Sequence, residues 1–142
     1  MRQKLSIITL GVSDLARSIA FYRDGLKWHT TYKEGEGIAF FPMGGIVLSL
    51  YPREGLAEDA MVSPHGSGFQ GFTLAHNTKN EAEVDAVLAE VAALGMKIVK
   101  PAQKVFWGGY SGYFTDPDGY LWEVACNPFV GFDEQDNLTL AT

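Results

Sequence analysis

Residues 8–26 read ITLGVSDLARSIAFYRDGL, and this stretch decides the first half of the fold. The apolar run that ends at Val12 predicts a buried strand, and Ser13 or Asp14 is suited to cap a helix. Apolar residues then recur at helical spacing as far as Gly25, a residue type that commonly follows the end of a helix. A strand followed directly by an amphipathic helix is therefore the first element of the chain.

The same order of elements occurs twice. Segments 38–41 and 46–51 predict two strands after the first helix, and the Pro-, Gly- and Ser-rich segment 52–68 predicts a linker. Segment 72–75 then predicts a new strand, and residues 78–81 have the spacing of a capping box for a second helix. Later strands are predicted at 96–99, 112–115 and 120–125. We therefore predict one unit that occurs twice, with the order strand, helix and three strands, of which the segments above locate two of the three later strands in the first copy.

The two copies align at two fixed offsets in the sequence. Residues 8–11 align with 72–75, and 45–49 align with 119–123. A repeated unit too small to bury its own apolar face is expected to pair with its copy. We therefore predict one domain over 1–142, made of module one at about 5–51, the linker 52–68, module two at about 69–126 and a tail at 127–142.

Composition excludes several functional classes. The 142 residues include 46% hydrophobic and 20% charged residues, which is typical of a globular domain. Eleven Lys and Arg against 17 Asp and Glu give a net charge of −6, so neither nucleic acid nor a membrane is an expected partner. Cys126 is the single cysteine and has no partner for an internal disulfide, so a reducing, cytoplasmic location is predicted.

Residues 112–128, GYFTDPDGYLWEVACNP, supply a second diagnostic stretch. Together with residues 8–26, it resembles the vicinal oxygen chelate superfamily, which includes glyoxalase I, bleomycin-resistance proteins and extradiol dioxygenases. The resemblance implies an α+β fold in which two paired βαβββ modules form a U-shaped mixed sheet around a cavity, with the helices outside. It does not fix an activity, because this superfamily includes isomerases, lyases, dioxygenases and non-catalytic binding proteins.

Metal-dependent members of the superfamily carry His or Glu at four strand positions that face the cavity. The resemblance places these positions at Ile7, Ser49, Gly71 and Glu123. Isoleucine and glycine offer no donor atom, and a neutral serine hydroxyl is a poor ligand for transition metals. We therefore predict no metal site and no cofactor.

Strand alternation assigns small or hydroxylated side chains to the face toward the cavity. Glu123 is the one acid expected on that face, where it would contact a ligand or act as a general base. The segment 106–113 places four aromatic residues among three glycines, which predicts either a cavity mouth or a dimer contact. The residues predicted to bind a ligand are Glu123, Ser49, Thr9, Thr73, Tyr51, Trp107 and Tyr113.

The sequence favours a metal-free protein that binds a small molecule. The alternative is a glyoxalase-like lyase or isomerase, either metal-dependent or metal-free with Glu123 as the catalytic residue. A neutral or cationic ligand is expected, because no basic residue was assigned to the cavity face. A homodimer is predicted from four aromatic residues near the edge and tail, which are Trp107, Tyr110, Phe129 and Phe132.

Overall fold

A computed structural model describes residues 1–70 and 72–140 of the chain. The chain divides into two compact units, Met1–Gly68 and Phe69–Thr142. Both units combine helices with mixed parallel and antiparallel sheets, which confirms the α+β class. No helix in the described ranges is both long and apolar enough to cross a membrane.

The first unit contains a three-stranded sheet in the order β1-β3-β2, with β1 parallel and β2 antiparallel to β3. Asp14 caps the first helix, and its side chain accepts a hydrogen bond from the Arg17 backbone nitrogen at 3.0 Å. That helix widens into a π-helical turn that ends at Gly25, as predicted. The elements are β1 (Ile7–Val12), α1 (Leu15–Ile19, continued by the π-helical turn Ala20–Gly25), β2 (Ala39–Pro42), β3 (Val47–Pro52) and α2 (Arg53–Asp59).

One strand predicted for a complete module is missing from the first unit. Between Gly25 and Ala39 the described chain forms turns and no strand. The segment 33–37, KEGEG, has no apolar alternation, and Gly35 adopts a φ of 90°. Such a sequence favours a turn over a strand. The core of this unit is nevertheless closed by side chains from its three strands and its first helix, including Leu10, Tyr22, Phe41 and Leu50.

The second unit is a complete βαβββ module with its four strands in the order β4-β7-β6-β5. Strand β4 runs parallel to β7, whereas β5, β6 and β7 are antiparallel neighbours. A separate two-stranded hairpin, β8 with β9, follows in the tail. The elements are β4 (Leu74–Thr78), α3 (Glu81–Ala93), β5 (Ile98–Lys104), β6 (Tyr110–Thr115), β7 (Leu121–Cys126), β8 (Val130–Phe132) and β9 (Leu138–Leu140).

The first strand and the helix cap of the second module lie two residues later than the sequence predicted. Asn80 is the N-cap of α3, and its side chain accepts a hydrogen bond from the Glu83 backbone nitrogen at 2.9 Å. Glu83 in turn accepts a hydrogen bond from the Lys79 backbone nitrogen. The capping box predicted at 78–81 is therefore wrong, because Asn80 and Glu83 perform that role.

This shift changes how the two modules correspond. The helix caps Asp14 and Asn80 lie 66 residues apart. The cross-strand pairs that match in the two sheets are Thr9–Ser49 in the first unit and Ala75–Glu123 in the second. These pairs also place equivalent residues of β1 and β4 66 positions apart in the sequence. The sequence alignment of 8–11 with 72–75 had placed them 64 positions apart. The position equivalent to Ile7 is then Thr73, whereas the predicted Gly71 lies outside the described residues.

Candidate functional site

A cavity of about 290 Å³ lies on the second unit. Strands β5, β6 and β7 supply most of its wall, and the turn between β5 and β6 supplies its aromatic residues. The lining side chains belong to Lys100, Gln103, Lys104, Val105, Phe106, Trp107, Ser111, Tyr113 and Glu123. The cavity therefore combines both signs of charge with aromatic surface, which is typical of sites that bind small molecules.

The alternation of β6 and β7 places the polar lining residues on one face of the sheet. Tyr113 lies opposite Glu123 in the antiparallel pair, so their side chains share a face. Phe114 and Trp122 alternate with them, are buried and stack with an interplanar angle of 6°. Helix α3 covers this apolar side of the sheet, so the opposite side is left to form the cavity wall.

Tyr113 and Glu123 form a hydrogen-bonded pair on the cavity wall. Burial raises the pKa of the Tyr113 phenol, and the charge of Glu123 and a hydrogen bond to its carboxylate raise it further. The phenol therefore stays protonated well above neutral pH and donates to the carboxylate. Together the two side chains present an anionic acceptor beside a neutral hydroxyl.

The tight turn 105–109 fixes the position of Trp107. The Gly108 nitrogen donates to the Val105 carbonyl and the Val105 nitrogen donates to the Gly109 carbonyl, each at 3.0 Å. Gly108 has a φ of 97°, a conformation that other residues rarely adopt. The indole folds back over Gly109, where even a methyl group would overlap its six-membered ring. The Gly-Gly pair thus allows the indole to rest directly on the backbone.

The structure brings three of the seven predicted ligand-binding residues into one cavity, namely Trp107, Tyr113 and Glu123. The exposed Thr73 belongs to the same unit but does not line this cavity. In the first unit, the buried Ser49 hydroxyl donates to the Thr9 hydroxyl at 2.9 Å. Tyr51 lies against Gly55 of α2, where a methyl group would stand 3.2 Å from the phenol ring. Ligand contact by these four residues stays a prediction.

Sequence reasoning missed the basic side of the cavity. The predicted strand ended at Val99, but β5 continues to Lys104 and brings Lys100 and Lys104 to the cavity wall. The pairing of β5 with β6 is irregular on both sides of Lys100, around Pro101. A proline in an edge strand is the signal that could have indicated this extension, since it is tolerated at an edge. The expectation that no basic residue lies on the cavity face is therefore wrong.

The phenol of Tyr113 offers a direct test of this geometry. We expect Glu123→Gln to lower the Tyr113 pKa toward its usual value of about 10, because the adjacent negative charge is removed. The difference in phenolate absorbance between each protein and its Tyr113→Phe derivative isolates this titration. Because the folded-state pKa is raised, its stabilising contribution is present below about pH 10 and is lost as the pH rises through the folded value. An unchanged Tyr113 titration in Glu123→Gln would show that the two groups are not neighbours.

Comparisons with known proteins place the chain in a family. The sequence model of one protein family, the glyoxalase/bleomycin resistance protein/dioxygenase superfamily, matches residues 4–124 of this chain. The chain belongs to this superfamily, and the βαβββ organisation of the second unit agrees with that membership. The resemblance inferred from residues 8–26 and 112–128 is therefore confirmed.

Individual relatives include proteins with and without a stated activity. A glyoxalase-related enzyme from Fulvimarina pelagi is 35% identical in sequence to this chain, and its crystal structure superposes with a TM-score of 0.89. The match covers 99% of this chain and 100% of that one. The metallothiol transferase FosB of Staphylococcus saprophyticus is 28% identical over 87% of this chain and 77% of its own length. The fosfomycin resistance protein FosX of Listeria monocytogenes is 26% identical with a TM-score of 0.68, over 89% of this chain and 95% of that one.

The resemblance implied four positions for a metal, and the side chains at those positions do not fit a transition metal. With the corrected correspondence of the modules, these positions are Ile7, Ser49, Thr73 and Glu123, so only one strong ligand is present. The Ser49 hydroxyl is already directed at Thr9. Within 1–70 and 72–140, no three His, Cys, Asp or Glu side chains are grouped closely enough to hold an ion.

His76 does not supply a further metal ligand beside Glu123. The carboxylates that act on its imidazole are Glu83 and Glu90, and both belong to α3. Burial lowers the pKa of His76 despite these two charges. The imidazole therefore lies on the α3 side of the sheet, opposite to the face of Glu123, as strand alternation predicts.

Proposed function

We propose that this protein binds a small organic molecule in the cavity beside Glu123 without using a metal ion. The observation that carries the proposal is the combination in one cavity of a carboxylate, a lysine and an indole seated on a glycine backbone. A concave site with a few polar groups and aromatic walls is the usual form of a small-molecule site. Membership of a superfamily whose scaffold serves many ligands is consistent with this function.

A fragment screen by thermal shift in the presence of EDTA tests the proposal. Fragments are expected to raise the melting temperature of the wild-type protein and to lose this effect in Trp107→Ala. Phe69→Ala is the matched control, because Phe69 is an aromatic residue, 71% exposed, that does not line the cavity. Fragment binding that is indifferent to Trp107, or absent without added metal, would overturn the proposal.

A metal-free isomerase or lyase is the second candidate, favoured by the hydrogen bond between Tyr113 and Glu123. A carboxylate can remove a proton from the carbon next to a carbonyl and return it from the same face to that carbon or to its neighbour, while the phenol of Tyr113, turning from Glu123 to the substrate, donates to the carbonyl oxygen. Such chemistry exchanges the α-hydrogens of a bound ketone for deuterium in D₂O. Exchange lost in Glu123→Gln supports catalysis, whereas fragment binding without exchange supports a binding protein.

The transferase activity named for FosB is not carried over to this chain, because the donor set does not fit a metal. We expect no stoichiometric Zn, Ni, Fe or Mn in the purified protein, and no gain in melting temperature when these ions are added. Elemental analysis together with thermal shift checks this expectation. Nearly one equivalent of metal per chain, lost in Glu123→Gln, would contradict the assignment of the ligand positions.

A homodimer stays a prediction, as do a cytoplasmic location and a single domain over 1–142. Large apolar side chains on the second unit support self-association, since Phe106, Phe129 and Leu140 are each more than two-thirds exposed. Light scattering at micromolar concentration is expected to give twice the chain mass. A monomeric mass would show that these side chains do not bury one another between copies.

A further inference from the structure

Three polar residues of the cavity form one row across the sheet. Lys100 on β5 pairs with Tyr113 on β6, and Tyr113 pairs with Glu123 on β7. Because neighbouring strands lie about 4.8 Å apart, the backbone positions of Lys100 and Glu123 are separated by roughly 10 Å. The cavity therefore has a cation toward one end and an anion toward the other, with the Tyr113 ring between them.

The two lysines of the cavity differ in their partners. The Lys104 ammonium forms an ion pair with Glu81 at the start of α3. Lys100 has no acidic partner in the part of the chain that the structure describes, although it is partly buried. Lys100 is thus the cation whose charge a ligand would compensate.

Glu123 retains acceptor capacity at the other end of the row. An ionised carboxylate has about four lone-pair sites, and the Tyr113 hydroxyl occupies one of them. The remaining sites require a donor, which an anionic group cannot provide. The Trp107 indole adds a flat apolar surface beside the row.

We propose that the cavity takes an elongated aromatic acid with its carboxylate at Lys100 and a hydroxyl or amino donor at the far end toward Glu123. This assignment rests on the proposed function and specifies its ligand class. It replaces the expectation of a neutral or cationic ligand, because that expectation was made without Lys100. Tyr113 separates the two poles and keeps the carboxylate of the ligand away from Glu123.

Three probes of similar size test the two contacts separately. 4-Aminophenylacetate has both groups, phenylacetate lacks the donor, and 4-aminophenylacetamide lacks the anion. We expect 4-aminophenylacetate to bind most tightly by calorimetry or ligand-observed NMR. Lys100→Gln should weaken this probe about tenfold, which corresponds to the loss of one charge-assisted hydrogen bond, and should leave the amide probe unchanged.

Two further variants complete the design. Glu123→Gln should reduce the advantage of 4-aminophenylacetate over phenylacetate, because a carboxylate acceptor is replaced by a neutral amide. Lys97→Gln is the matched control, since it removes the same charge from an exposed lysine that does not line the cavity. It should change each affinity by less than twofold.

The possible outcomes separate the two proposals. Equal binding of the acid and amide probes, or equal losses in Lys100→Gln and Lys97→Gln, would overturn the ligand class but leave small-molecule binding intact if the fragment screen depends on Trp107. The same holds if none of the three probes binds while other fragments do. Failure of the whole fragment screen would overturn both proposals.

Discussion

Gly112→Ala is expected to lower the free energy of unfolding by about 2 kcal/mol. A methyl group at this position would lie 2.7 Å from Leu88 Cδ1, 2.8 Å from the Lys100 carbonyl oxygen and 2.9 Å from the Ala102 nitrogen. Two of these atoms belong to the backbone of β5, so a change of side-chain rotamer cannot relieve the overlap. Strand β5 or helix α3 must move away from β6, and packing contacts are lost.

Chemical denaturation of Gly112→Ala beside Gly37→Ala measures this effect. Gly37 has no atom within 4 Å of an added methyl group and does not adopt a positive φ, so its substitution should be nearly neutral. The same displacement of β5 would move Lys100, so Gly112→Ala should also weaken ligand binding. Equal stability of the two variants would contradict the close contact of α3, β5 and β6.

Gly109→Ala is expected to weaken ligand binding about tenfold or more, because the indole of Trp107 must leave its position over the backbone. Tryptophan is enriched among binding hot spots, where truncation of the side chain costs about 2 kcal/mol or more of binding free energy. Gly109 does not adopt a positive φ, so the change acts through the ring and not through backbone strain. Stability should fall less than in Gly112→Ala, since the atoms that meet the added methyl group at Gly109 belong to the Trp107 side chain and not to the backbone of a neighbouring strand.

Affinity and tryptophan fluorescence together test the role of Gly109. We expect the emission of Trp107, isolated by subtraction of Trp107→Ala, to shift to longer wavelength as the ring becomes more exposed. Gly37→Ala should leave both readouts unchanged. Unaltered affinity in Gly109→Ala would mean that the indole does not contact the ligand.

Local patterns predicted the elements of the fold well. Asp14 and Gly25 bound the first helix, and Val84, Leu88 and Val91, which recur at helical spacing in the sequence, form the buried face of α3. Helix periodicity and helix caps involve residues that are close in the chain, so they can be recognised in a single sequence. The superfamily could be inferred for a similar reason, since its two diagnostic stretches are each continuous.

The sequence predicted less well which residues of the two modules are equivalent. The sequence alignment matched the dipeptides Thr9-Leu10 and Thr73-Leu74, but the backbone pairs place Thr9 in the position of Ala75. A shift of two residues keeps every side chain on the same face of its strand, so burial patterns alone cannot detect it. Only the cross-strand partners and the helix caps reveal the difference.

The candidate site was also predicted only in part. Glu123, Tyr113 and Trp107 were predicted from alternation and from the unusual cluster of aromatic residues and glycines. Lys100 was missed because β5 is an edge strand with irregular pairing around Pro101, which breaks the alternation that identifies a face. Cross-strand neighbours on such a strand depend on the bulge, and a bulge has no simple sequence signature.

The most direct test of metal-free binding beside Glu123 is an NMR titration of the labelled protein with a fragment hit in the presence of EDTA. Binding should shift the backbone amide signals of Lys100, Trp107, Tyr113 and Glu123, and the shifts should saturate at one fragment per cavity. Shifts confined to other residues, or shifts that appear only after a divalent metal is restored, would contradict the account.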